Sequence, residues 1–305
     1  MNDIEKNLLL EVADLHGLPE GAYNIRLNGK AESRRSTDEI EIVGKTDKPG
    51  IDIIVKPGVK GKSVHIPVLL TDIGLNDLVY NDFYIGEDSD VLIVAGCGIH
   101  SCGDQKSQHD GIQTFHVGKN AKLKYVEKHY GEGDGEAKRV LNPTTIVEID
   151  EGGYMEMETV QIKGVDSTVR ITNSQLAAKA KFVVKERLMT HGNQTAVTTF
   201  NCELNGEGSN AHIASRSVAR NKSKQEFVAH LYGNAECFGR SECDAIIMDE
   251  ALVSSRPGVD ANHPLASLTH EAAIGKIAGE QLIKLMTLGL TETEAEEKII
   301  SGFLK

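Results

Sequence analysis

Gly152-Gly153-Tyr154-Met155-Glu156-Met157-Glu158-Thr159-Val160-Gln161-Ile162-Lys163-Gly164 is the stretch on which the fold turns. Residues 155–162 form a short alternating run closed on both sides by glycine, the pattern of a strand between tight turns. Working outward, the same unit recurs from about Asn24 to Asp249. Runs stand at Ile51–Val55, Leu123–Val126, Ile146–Ile149, Val169–Ile171, Phe182–Val184, Phe200–Leu204, Phe227–Leu231 and Cys243–Ile247. Turn residues separate many of them, among them Gly118-Lys119-Asn120, Gly192-Asn193, Asn205-Gly206 and Gly233-Asn234. Strands this short and numerous, with weak helical patterning between them, describe an all-β body.

A sandwich, a barrel and a β-solenoid all satisfy that pattern. Composition favours the solenoid: aromatic residues are 5%, Trp is absent and Pro occurs only 7 times. A core drawn from Val, Ile, Leu and Ala suits thin stacked rungs that bury small side chains in columns. No strict sequence repeat accompanies the pattern.

Both ends turn helical. Ile4, Leu8, Leu9, Val12 and Leu15 fall at helical spacing before the stop Gly17-Leu18-Pro19. Near the other end, the apolar stripe within Glu280–Met286 ends at Gly289, and Thr291-Glu292-Thr293-Glu294 reads as a capping box opening a second helix. Such a hairpin either caps the solenoid or docks a partner. The expected organisation is a helical segment over 1–23, a β-helix core over 24–250 and a C-terminal helical domain over 251–305.

Charge and cysteine usage narrow the function. A net charge of −12 disfavours nucleic acid and anionic lipid as partners. The opening Met1-Asn2-Asp3-Ile4-Glu5 lacks the basic and apolar regions of a secretory signal. No run approaches the ~18 apolar residues of a membrane span. Five cysteines, an odd number, in a chain read as cytoplasmic point to thiols kept for metal or sulfur chemistry rather than to disulfides.

The densest set of metal-competent side chains is Cys97, His100 and Cys102, followed by His109 and His116. Thiolate and imidazole at this density suit zinc or iron, although no second Cys-x-x-Cys pair completes a zinc-finger spacing. Glycines on both sides of Cys97 indicate a bend or a close backbone approach. Cys202 shares the phase of Phe200 and Leu204, the mark of a core residue; Cys237, in a turn-rich segment, is open. Cys243 begins an alternating run beside Arg240, whose cation favours thiolate. His270-Glu271 offers one nitrogen and one oxygen ligand, 28 residues beyond Cys243 at Glu271. Gly58-Val59-Lys60-Gly61-Lys62-Ser63 carries Lys56 where a phosphate loop needs its first glycine, so it reads as a basic turn and the chain is not expected to hydrolyse ATP.

Three stretches together resemble one family. Ser107-Gln108-His109-Asp110-Gly111 and Phe115-His116-Val117-Gly118-Lys119-Asn120-Ala121-Lys122 lead into Tyr125–Gly133; Arg240-Ser241-Glu242-Cys243-Asp244-Ala245 follows; and His270–Ile277 runs on through Glu280-Gln281-Leu282, Met286, Gly289-Leu290-Thr291 and Glu294-Ala295 to Gly302-Phe303. Over roughly residues 90–305 this combination is similar to the SufB/SufD scaffolds of the SUF system. The resemblance implies a right-handed parallel β-helix with a C-terminal helical domain that grips a SufC-like ABC-type ATPase. It implies a dimer of β-helices, a transient iron–sulfur cluster of two-iron or four-iron type, and delivery to apo iron–sulfur proteins. By motif it makes Cys243 the cluster or sulfur ligand, with Glu271 and His270 as ligands or assistants. The Cys97–Cys102 segment resembles short, self-pairing members, so a homodimer is expected.

Two other functions compete with this scaffold. One is a zinc- or iron-dependent enzyme on a β-solenoid, using Cys97, His100 and Cys102 to activate water. The other is a structural module whose cysteines are simply buried.

Overall fold

A computed structural model describes all 305 residues. In chain order the elements are α1 (Asp3–Ala13), β1 (Ala22–Leu27), β2 (Lys30–Arg35), β3 (Ile40–Gly44), β4 (Gly50–Val55), β5 (Lys60–Leu70), β6 (Asn76–Ile85) and β7 (Asp90–His100). There follow β8 (Ser107–Val117), β9 (Lys122–Glu132), β10 (Arg139–Leu141), β11 (Thr144–Ile149), β12 (Tyr154–Lys163), β13 (Ser167–Leu176), β14 (Lys181–Thr190) and β15 (Thr195–Leu204). The last are β16 (Ser209–Ala219), β17 (Lys224–Gly233), β18 (Cys237–Ile247), β19 (Leu252–Ala261), β20 (Ala266–Gly275), α2 (Gly279–Thr287) and α3 (Glu292–Phe303).

The strands stack as a β-solenoid of about eight turns. One sheet, A, runs β2-β1-β5-β7-β9-β12-β14-β16-β18-β20, and the facing sheet, B, runs β19-β17-β15-β13-β10-β8-β6-β4-β3, with β11 also joining β13 to β8. Neighbours pair in parallel except β1 with β2 and β3 with β4. From β4 onward one turn takes 27 to 33 residues: Tyr154 pairs with Lys181, whereas Lys163 pairs with Tyr130. That drift in turn length is why no strict repeat shows in the sequence.

Alternation places every second side chain between the sheets. A cluster of 37 buried residues fills the interior, including the stacked pair Phe83 and Phe115, whose ring centroids are 4.2 Å apart. Columns of Val, Ile, Leu, Ala and a few aromatics do the rest, as the composition implied.

At the N-terminal end α1 is fixed by a capping box between Asn2 and Glu5. Its Leu8, Leu9 and Val12 pack on Leu69, Val94 and Tyr130, the outer side of sheet A. Gly96 and Gly98 on β7 lie directly beneath; a Cβ on Gly96 would stand 2.6 Å from the Val12 carbonyl oxygen. The glycines flanking Cys97 thus serve a helix lying on the strand.

The β body does not stop at residue 250. Strands β19 and β20 continue the parallel stacking to Gly275, in register with β17 and β18. Turn residues and Pro257 within 251–266 mask this last rung in the sequence. Beyond it, the Thr291–Glu294 capping box forms, and α3 packs Ile300 and Leu304 onto Val218 and Met189 at the side of sheet A. The helices therefore sit beside the solenoid and leave its last rung uncovered. No helix is long and apolar enough to cross a membrane.

Candidate functional site

Cys243 lies on β18 in the inward phase, 2% exposed, within the main core cluster. Burial, the largest influence, pushes its thiol up to about 11, with the charges of Glu186 and Asp244 adding and a hydrogen bond with Ser255 opposing. The expected activation by Arg240 is absent. Alternation sends Arg240 to the outer face, where its guanidinium binds Glu242 at 2.5 Å and Glu271 at 2.9 Å.

His270 and Glu271 are carried by β20, the edge strand. Ser241 pairs with His270, Glu242 with Glu271 and Cys243 with Ala272. His270 therefore shares the inner face with Cys243, one step along the neighbouring strand, while Glu271 faces the other side of the sheet. A vicinal pair on a strand must split in this way. The fold brings Cys243 and His270 to one face and holds Glu271 behind it, tied to Arg240.

The first cluster is also divided. Cys97 points inward and is 3% exposed, and burial pushes its thiol well above the ordinary range. His100 lies three residues on, on the outer face, with Nδ1 3.3 Å from Glu132, and Cys102 is exposed in the following loop. No group of three or more His, Cys, Asp or Glu side chains gathers at metal-binding range within the chain. Cys202 is fully buried, as its phase implied, and burial raises it to about 12; Cys237 is buried as well.

The sequence reading missed a line of polar groups inside the solenoid. Successive register pairs stack Glu127, Thr159, Glu186, Ser215 and Cys243 in one inward column of sheet A. Glu127 is 3% exposed and accepts from Arg170 Nη1 at 2.5 Å and from the Tyr125 hydroxyl at 3.0 Å. Burial would raise its carboxyl, but the charges of Arg170 and His129 outweigh burial and hold it well below the usual range. His129 is depressed to about 4, first by burial and then by Arg170, with Glu127 opposing. Nearer the N-terminal end, Asp77 pairs with Arg26 at 2.8 Å and with His109 Nδ1 at 3.0 Å. Cys97, His109, Gln113, Glu127 and His129 border a cavity of about 20 Å³. The signal was present: Glu127 shares the phase of Leu123 and Tyr125, and Glu186 that of Phe182 and Val184.

Residues 81–303 match the family model described as SUF system FeS cluster assembly, SufBD core domain. An iron–sulfur cluster assembly SufBD family protein of Methanocaldococcus jannaschii is 34% identical, over 83% of this chain and 79% of the relative. A protein of the same description from Archaeoglobus fulgidus is 30% identical, over 89% and 73%. One from Pyrococcus horikoshii is 26% identical, over 98% and 94%.

Proposed function

The chain belongs to the SufBD family of iron–sulfur cluster assembly proteins, and from that premise we propose that it is the scaffold on which a cluster is built and then passed to apo-proteins. The observation that carries this reading is the position of Cys243 and His270. They share the inner face of the last two rungs, at the one end of the solenoid that nothing covers. Iron and sulfide are cargo here, and a thiolate with an imidazole is a donor pair suited to a cluster that must later leave.

One chain supplies too few donors for a cluster, since Glu271 faces away and no third ligand stands beside Cys243 and His270. A second copy meeting the open rungs of β19 and β20 would supply the remainder, which makes the working unit a homodimer. Leu252, Val259, Leu265 and Ile274 are exposed there beside unpaired strand edges, a surface suited to strand-on-strand pairing.

The C-terminal hairpin is the docking element for a SufC-like ABC-type ATPase. α3 is anchored to the solenoid, whereas α2 buries no residue and presents Ile283 and Met286 to solvent. ATP-driven movement of that partner would part the two copies at the end where Cys243 lies. Metal binding must displace the thiol proton, and a thiol raised to about 11 holds it until iron arrives.

The test is anaerobic reconstitution with ferrous iron and sulfide, following visible absorbance in the wild type and in Cys243→Ser. A broad brown absorbance in the wild type that is lost in the variant supports the reading. A colourless wild type overturns it. Light scattering of the pure protein tests the dimer, and a monomer counts against that part.

A further inference from the structure

Within the inward column, Glu186 is 5% exposed and accepts from Thr198 Oγ1 at 2.9 Å and Ser215 Oγ at 2.7 Å. No Lys, Arg or His pairs with its carboxyl group. One rung away Thr159 is 2% exposed, and its Oγ1 meets no protein partner. Beside it, Gln161 sets Oε1 3.3 Å from His129 Nδ1, while its Nε2 meets none. Arg170 Nη2 lies 3.4 Å from the same Nδ1. The Gln161 amide can therefore offer either end to the imidazole, and in both orientations the other end is left over.

These loose ends converge. Thr159, Gln161, Arg170, Glu186 and Thr198 line one cavity of about 10 Å³. A volume near that value accommodates the centre of a single water, provided that two or more polar groups face it. Here a hydroxyl and an amide are unpaired, and a guanidinium and a carboxyl group stand at the walls. An apolar guest would leave the hydroxyl and the amide unsatisfied.

We infer that this cavity is a specific site for one water molecule, held by Thr159 Oγ1 and the free end of the Gln161 amide. The water closes the break between the Glu127–Arg170 pair and the Glu186–Ser215 pair, so that one hydrogen-bonded ladder runs through the interior and ends at Ser215, one rung short of Cys243. It also hydrates a buried carboxyl group that has no cation of its own.

Thr159→Val tests the inference, because valine matches threonine in shape and removes only the hydroxyl. If the water is present, the substitution takes away one of its partners, strands Gln161, and lowers the melting temperature by about 2 °C or more. If the cavity is dry, deleting an unpaired buried hydroxyl raises the melting temperature, and the inference fails. A crystal structure of the wild-type protein near 1.5 Å resolution is the second measurement, independent of how the variant behaves. Density for one oxygen at about 2.7–3.2 Å from Thr159 Oγ1 and from the Gln161 amide confirms the site, and a featureless cavity overturns it.

Discussion

The two ends of this solenoid solve the same problem in opposite ways. A stack of parallel strands exposes unpaired backbone groups at both of its last rungs, and such edges invite pairing with other chains. At the N-terminal end the chain turns antiparallel. β2, with Lys30, Glu32, Arg34 and Arg35, borders one sheet; β3 folds back on β4 to border the other; and α1 covers the flank. At the C-terminal end β19 and β20 are still parallel, and nothing lies over Leu252, which is 61% exposed, or Leu265, also 61% exposed. The difference lies in the inner faces: Ala22, Ile40 and Ile42 of the first rung are buried, whereas Leu252 and Leu265 beside the last rung stay exposed.

The comparison can be broken most readily by paired truncations. Leu8→Ala removes a fully buried anchor of α1 and should cost about 2–5 kcal/mol in denaturant unfolding. Leu252→Ala, measured at a concentration where the protein is monomeric, should stay within about 0.5 kcal/mol. Equal costs would mean that the C-terminal rung is covered after all.

Acid separates both ends from the interior they share. His129, ordinarily near 6.5, is held at about 4, so the folded state resists a proton that the unfolded chain takes up. Stability should fall as pH drops from about 6.5 toward 4. Glu127, ordinarily near 4.5, is held lower still and contributes stability that is lost as pH falls below 4.5. His129→Asn should flatten the upper part of this decline in melting temperature and leave the lower part. An unchanged profile would place the acid-sensitive group elsewhere.

A lysine at the open edge sharpens the contrast further. Val259→Lys should weaken self-association about tenfold by light scattering or sedimentation, about 1.4 kcal/mol, with little change in monomer stability. The smallest effect is expected at the hairpin beside that end: Thr291→Ala removes the capping box of α3 and should cost about 1 kcal/mol. If the loss of helix signal extends to the β core, α3 is more than an appended anchor.

Much of this architecture was legible because strand alternation and glycine turns are local. The runs at 155–162 and 200–204, the first helix and the Thr291–Glu294 cap each follow from a few neighbouring residues. The extent of the β body was not legible past 250, where Pro257, Gly258 and Pro264 look like linker, because their tolerance on an exposed last rung depends on the rung being last. The site was legible only in part. Cys243 and His270 could be named, but that they share a face while Glu271 turns away depends on which strand pairs with which. The favourable reading of Arg240 failed for the same reason. Glu127 and Glu186 broke the apolar phase visibly, yet only the stacking of rungs shows that they line one column. Arg170 alternates with Val169 and Ile171 and reads as an outward residue, although it is Val169 that faces out.

The closed N-terminal end has a consequence for assembly. Two copies meeting through their open ends about a two-fold axis would use up both exposed edges at once, leaving closed ends outermost. A head-to-tail arrangement would have to seat an open rung on the charged antiparallel border strand β2 and on β3. If the open ends pair in that way, each molecule has a valency of one and growth stops at two copies.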